Sequence, residues 1–149
     1  MVKLLDINSR EMETFRFVKT ILDLMPFPIF IKDENRNYYM VNQLEAELFG
    51  LTESEIIGKS DVHFVSDLSE LAVISSSDNE VLLHGKTVEL PNQAFTISGV
   101  SNVFRTCKIP ITNPFTGEIN ILGYSANVTD EVQLDKLKKV VTMCSNPFF

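Results

Sequence analysis

Alternation along the run from Phe104 to Ile111 puts Phe104, Thr106 and Lys108 on one face of a strand, and Arg105, Cys107, Ile109 and Ile111 on the other. An ammonium, a hydroxyl and a ring sharing one face matter chemically, because an ammonium taken out of water needs a partner. The other reactive side chains are His63, His84, Cys107 and Cys144. Neither histidine has a nucleophile nearby in sequence, and no Gly-rich phosphate loop, H-E-x-x-H or G-x-S-x-G is present, so catalysis is not expected. The two cysteines are too few and too far apart for a disulfide framework or a zinc site, and read as reduced thiols of a cytoplasmic protein.

The composition narrows the partners. A chain of 149 residues, 44% hydrophobic, fits one globular domain, and its mass lets it bury roughly 70% of its unfolded surface without a metal or disulfide. Thirteen basic residues against 20 acidic ones give a net charge of −7, with no basic stripe, which argues against nucleic acid or an anionic membrane as partner. No apolar run approaches the ~20 residues of a spanning helix, and no signal-peptide pattern opens the chain.

The elements that must position these groups follow from periodicity. Met12, Phe15, Val18, Ile21, Leu22 and Met25 recur at helical spacing over residues 9–25, and Pro26 and Pro28 end that helix. Residues 28–32 and 38–41 read as a strand pair around the polar turn Asp33-Glu34-Asn35-Arg36-Asn37. Two short helices follow, each with a capping-box spacing, Asn42 with Glu45 and Thr52 with Glu55, and with Gly50 and Gly58 as stops. Too short to be stable alone, they need Leu44, Leu48, Phe49, Ile56 and Ile57 packed on something larger.

A longer helix over 67–84 starts at Asp67 with Glu70 and stops at Gly85. Its centre, Ser75-Ser76-Ser77-Asp78-Asn79, is poor in helix formers. It reads as a solvent-facing middle; the alternative is a soft segment whose hydroxyls meet a ligand. Residues 87–90 form a third strand. Residues 91–101 are an irregular continuation or a loop, in which Phe95 has no assigned place. Strands 104–111 and 119–126 form a hairpin around Asn113-Pro114-Phe115-Thr116-Gly117. Asn127, Thr129 and Asp130 then cap a helix carrying Val132, Leu134, Leu137 and Val141.

Lys108-Ile109-Pro110-Ile111, the hairpin, and Asn127-Val128-Thr129-Asp130 resemble the K-x-P-[IL] strand and D-[IV]-T-[DE] ending of a PAS domain. The two punctuated short helices and Gly58-Lys59-Ser60-Asp61 extend that resemblance over residues 28–131. It implies an α+β fold: an antiparallel sheet of about five strands with short helices on one face, an N-terminal amphipathic helix and a C-terminal exit helix. The implied organisation is 1–27 as dimerisation or cover helix, 28–131 as the PAS-like domain, and 132–149 as signalling helix and tail.

The resemblance also implies a function: a sensory module that binds a small ligand or partner and passes a change through its last helix to a histidine kinase, cyclase or DNA-binding output. A ligand-free dimerisation or interaction module is the alternative, since eleven phenylalanines could fill the interior. Carried over by register, the inner face holds Phe30 and Lys32, and Ile121 and Ser125. The candidate ligand-binding set is Phe30, Lys32, Ile74, Phe104, Thr106, Lys108 and Ser125. Two lysines and two hydroxyls would suit a small anion; otherwise the lysines reach solvent from the strand ends.

The outer face, with Ile29, Ile31, Cys107, Ile109 and Ile111, needs cover from the first helix of its own chain or of a second copy, and a homodimer through residues 12–25 is expected. No cofactor is expected. Where flavin-binding members carry N-C-R-F-L-Q, this chain has Asp61-Val62-His63-Phe64-Val65-Ser66, without the cysteine. Haem-binding members place a histidine on or near the long helix, where His84 stands, but a histidine beside a helix C-terminus is already favoured by the helix dipole. Asn127 stands where the family usually has Asp, so the usual ionic tie between sheet and exit helix is not expected in that form.

Overall fold

Pro26 and Pro28 separate the first helix from the first strand, as proline requires. The computed structural model describes residues 2–145, with side chains over 9–143; the tail Asn146-Pro147-Phe148-Phe149 and the Cys144 side chain lie outside the described residues. Helix α1 (Val2–Leu24) begins earlier than the apolar periodicity predicts, no Gly or Pro interrupting the residues before Ser9. Strands β1 (Ile29–Lys32), β2 (Tyr38–Val41), β3 (Val88–Ile97), β4 (Val100–Thr112) and β5 (Ile119–Asn127) form one antiparallel sheet in the order β2-β1-β5-β4-β3. Between β2 and β3 the chain makes α2 (Gln43–Phe49), α3 (Glu53–Ile56), a 3-10 turn (Asp61–His63) and α4 (Leu68–His84). Helix α5 (Thr129–Ser145) follows β5 directly.

Asn42 fixes the entrance to the helical layer. Its amide nitrogen donates to the Leu22 and Phe27 carbonyls, and its Oδ1 accepts from Ile29 N and Glu45 N, so one buried side chain ties α1, β1 and α2 together. Such a fully bonded buried amide is expensive to replace. The core beneath consists of Phe30, Tyr38, Val41, Ala46, Ile56, Val81 and Ile121. Phe30 lies across the β5 backbone at Gly123, where a Cβ would overlap its ring.

One open alternative is decided and two expectations are corrected. The stretch 91–97 is the irregular continuation of the third strand and not a loop: a register irregularity between Leu90 and Gln93 accommodates Pro91, and pairing resumes from Gln93 opposite Phe104 to Ile97 opposite Val100. Phe95 thereby gains its place, edge-on to both Phe49 and Phe104. The middle of α4 faces inward, with Ser77 and Asp78 buried, because the groups they bond lie on the sheet below. Finally, only Thr52 with Glu55 makes the return half of a capping box, Glu55 accepting from the Thr52 N–H. Asn42 and Asp67 accept from the expected backbone N–H groups, but Glu45 and Glu70 turn elsewhere. Glu70 reaches β3, accepting from the Thr96 backbone N–H and hydroxyl.

The outer sheet face is covered in part by its own α1. Phe15 meets Tyr39 edge-on at 6.0 Å, Lys19 pairs with Asp23 and Glu53, and Asp23 accepts from Gln43 N. Ile29 and Ile31 are buried, whereas Cys107, Ile109 and Ile111 are half-buried.

Candidate functional site

Strand alternation delivers Lys32 from β1 and Lys108 from β4 to the inner face, and burial leaves each only 1% and 2% exposed. Neither ammonium reaches solvent at the strand end. Both meet the carboxylate of Asp78, 1% exposed in the middle of α4: Lys108 Nζ donates to Oδ1 at 2.7 Å and Lys32 Nζ to Oδ2 at 2.8 Å. Lys32 also donates to Asp61 on the 3-10 turn, whose other oxygen accepts from the Tyr38 hydroxyl at 2.6 Å. Lys108 donates further to Ser77 Oγ at 2.7 Å. Two ammoniums and two carboxylates therefore share one buried network, the geometry in which buried charges are tolerated.

The electrostatics follow from that pairing. Burial opposes the charge of Asp78, but Lys32 and Lys108 outweigh it and hold its carboxyl below the usual range. Burial also opposes the charge of Lys32, yet Asp61 and Asp78 raise its pKa. Lys108, with burial and the neighbouring Lys32 ammonium against it, is lowered. Burial and the Asp61 carboxylate push the Tyr38 phenol well up, so it remains a donor.

Beside this network lies a cavity of about 40 Å³ between the sheet and the helices. All seven residues of the expected ligand set, Phe30, Lys32, Ile74, Phe104, Thr106, Lys108 and Ser125, line it. Thr106 and Ser125 face one another across β4 and β5, their hydroxyls 3.1 Å apart. Sequence reasoning missed six further lining residues that carry polar or aromatic character: Tyr38, Glu45, Phe49, Asp61, Gln93 and Phe95. Asp61 closes the Gly58-Lys59-Ser60-Asp61 segment that carried the resemblance, but nothing in the sequence marked it as a cavity residue.

Glu45 is the most unusual of these. It is 5% exposed, borders the cavity, and its carboxyl has no hydrogen-bond partner among the described residues. Burial, reinforced by the Asp61 carboxylate and only partly offset by Lys32, pushes its pKa up to about 8, so the group carries its proton at neutral pH. The Gln93 amide likewise borders the cavity, buried and without a hydrogen-bond partner among the described residues.

The anion expected on Lys32 and Lys108 is thus supplied by the protein itself, as Asp61 and Asp78. His84 is exposed at the far end of α4 and does not line the cavity, and His63 is exposed with its Nδ1 3.2 Å from the Ser60 carbonyl. No cluster of three His, Cys, Asp or Glu side chains suited to a metal exists among the described residues.

The strands that floor the cavity also hold the exit helix. Val128 N donates to the Val103 carbonyl, and Val103 N donates to Thr129 Oγ1. Asn127 Oδ1 accepts from Thr129 N at 3.0 Å and from its hydroxyl at 2.6 Å, while Asn127 Nδ2 donates to Asn102. An uncharged cap thus replaces the ionic tie, with the exposed Arg105–Glu131 pair at 3.3 Å beside it.

Compared with known proteins, this arrangement has clear relatives. The PAS_4 family, described as a PAS fold, matches residues 22–133 of the 149. The chain belongs to the PAS fold family. Over 124 residues this PAS domain is 29% identical to a diguanylate cyclase of Vibrio cholerae, a match covering 82% of this chain and 38% of that protein. Over 123 residues it is 29% identical to the methanogenesis regulatory histidine kinase FilI of Methanothrix harundinacea, covering 81% of this chain and 14% of the kinase. The chain therefore spans well under half the length of either relative. The PAS domain of BvgS from Bordetella pertussis has the same fold, with a TM-score of 0.58 at 17% identity over 89% of this chain and 99% of that one. A PAS fold is typically a sensory module rather than a catalytic one, and PAS domains commonly dimerise and join effector domains. No helix among the described residues is long and apolar enough to cross a membrane.

Proposed function

We propose that this PAS domain is a non-catalytic sensory module of the cytoplasm. A small molecule held between sheet and helices shifts the β4–β5 pair, and α5 passes that shift to an effector of the histidine kinase, cyclase or DNA-binding kind. The observation that carries this reading is the cavity itself, walled by buried polar groups whose hydrogen-bonding capacity is not used up within the chain. Glu45 and Gln93 border the cavity with polar groups that bond nothing else among the described residues, and a partner that arrives there would satisfy them. The seven-residue set named from sequence, with Glu45, Gln93 and Tyr38 added, forms the proposed binding surface. The two relatives, named as a cyclase and a histidine kinase, support the kind of output.

The proposed division of labour is 28–131 for sensing and 132–149 for transmission, with 1–27 as cover and dimer contact. Met12, Phe15 and Ile21 of α1 are exposed, and Val18, Leu22 and Met25 are half-buried, which leaves an apolar edge for a second copy. Sedimentation of the chain at high micromolar concentration tests that contact: a dimer is expected, and a monomer removes it.

The small size of the cavity favours a second reading, a ligand-free interaction module whose interior is filled by Phe30, Phe49, Phe95 and Phe104. Native mass spectrometry on the freshly purified chain separates the two. A bound small molecule that raises the melting temperature with its concentration, by about 2.7 kcal/mol of stability at a hundredfold excess over its Kd, establishes sensing. A bare chain that no compound stabilises leaves the interaction module.

A further inference from the structure

Resting on the sensory reading above, we propose that the cavity selects its ligand by charge: it takes a small uncharged molecule whose carbonyl or hydroxyl oxygen accepts hydrogen bonds beside Lys32, Lys108 and Glu45. It turns away both anions and cations. The polar wall is already electrically complete, since the ammoniums of Lys32 and Lys108 are matched by the carboxylates of Asp61 and Asp78. An anion entering this space would face the Asp61 carboxylate and two lysines already engaged by Asp61 and Asp78, and a cation would face two ammoniums.

Hydrogen-bonding capacity nevertheless remains. Each ammonium has three N–H donors and uses two within the chain, Lys32 on Asp61 and Asp78, Lys108 on Ser77 and Asp78. The unpartnered Glu45 carboxyl and Gln93 amide add donors and acceptors on the same lining. The opposite walls are the rings of Phe49, Phe95 and Phe104, which suit a short apolar body. The matching ligand class is therefore a compact neutral amide, lactam, alcohol or ketone.

Glu45 makes this selection pH-dependent. The charged and titratable groups that act on it or share its lining are Asp61 on the 3-10 turn, Lys32 on β1, Tyr38 on β2 and Lys108 on β4. Below about pH 8 its carboxyl is neutral and donates; above, it becomes an uncompensated carboxylate at the lining. If only the neutral form is competent, the apparent affinity for an uncharged ligand falls about tenfold between pH 7 and pH 9, in proportion to the competent fraction.

Three four-carbon probes that differ only in headgroup test this: butyramide, butyrate and butylamine, titrated into the isotopically labelled chain while the amide resonances of the cavity-lining residues are followed. Butyramide is expected to give saturable shifts at Lys32, Gln93 and Lys108 at concentrations where the two charged probes give none, and to lose about tenfold in affinity by pH 9. Glu45→Gln, whatever its affinity at pH 7, is expected to bind butyramide equally well at pH 7 and pH 9. The carboxyl carbon of Glu45 in the unaltered chain gives a second readout, with butyramide raising its titration midpoint further. Preference for butyrate or butylamine overturns the charge selection and leaves the sensory reading standing. No response to any of the three overturns the proposed ligand class and leaves the sensory reading to native mass spectrometry, and a pH dependence that survives Glu45→Gln removes Glu45 from the selection.

Discussion

Replacing Glu45 by Gln should make this PAS domain more stable at neutral pH, although it alters a buried side chain. In the folded chain the carboxyl holds its proton up to about pH 8, whereas in the unfolded chain it releases it near 4.5. Between those values the native state binds more protons than the unfolded one, so stability falls as pH rises. The contribution is whole below 4.5 and gone above about 8. At 1.36 kcal/mol for each tenfold change in proton concentration, the loss by pH 7 is about 3 kcal/mol, and by pH 9 about 5 kcal/mol. Gln keeps the shape of the protonated acid and never ionises. Since the carboxyl has no hydrogen-bond partner, its replacement breaks no bond among the described residues.

Urea unfolding of both chains at a series of pH values from 4 to 9 measures the difference. Equal stability is expected near pH 4, with the variant ahead by about 3 kcal/mol at pH 7, or roughly 6–12 °C in Tm for a chain of this size. A constant offset across the series, or a variant that is less stable at pH 7, refutes the argument that Glu45 is a buried neutral acid.

Two further perturbations probe the packing behind the cavity. Asp78→Asn removes the carboxylate shared by Lys32 and Lys108 and leaves two buried ammoniums short of charge, so thermal unfolding should show a loss of about 3–5 kcal/mol at pH 7. The difference should shrink as pH falls through the depressed pKa of Asp78, because its stabilisation is present above the ordinary carboxyl range and lost in acid. Gly123→Ala places a methyl against the Phe30 ring and should cost about 1–3 kcal/mol, most of it recovered when Phe30→Leu is added; an additive double variant would show that the two do not collide.

Much of this architecture is legible in the sequence because strand alternation has no competing interpretation. A period of two puts Phe104, Thr106 and Lys108 on one face, and a register carried from a PAS domain adds Phe30, Lys32 and Ser125; all six line the cavity. The charged partners were hidden for a physical reason. Glu45 and Glu70 have the spacing of a capping box, so local chemistry accounts for them completely, yet tertiary structure draws one to the cavity and the other to Thr96. Asp78 sits among serines in a segment that reads as solvated, and only the lysines of distant strands make its burial possible. Phe95 was unreadable because the irregularity after Leu90 interrupts the alternation that would have placed it.

The joint between sheet and exit helix is where the functional claim is most exposed. Hydrogen exchange of the backbone amides from Val128 to Glu131, with and without saturating butyramide, tests it most directly, with Asn127→Ala as the comparison. The Asn127 cap contributes about 1 kcal/mol to that turn, enough for its loosening to be read as a several-fold change in exchange. If the cavity drives the helix, occupancy changes exchange at Val128, Thr129 and Glu131 in the unaltered chain, and the response weakens in Asn127→Ala. A response confined to the cavity lining, with the first turn of α5 unchanged, would contradict transmission through this joint.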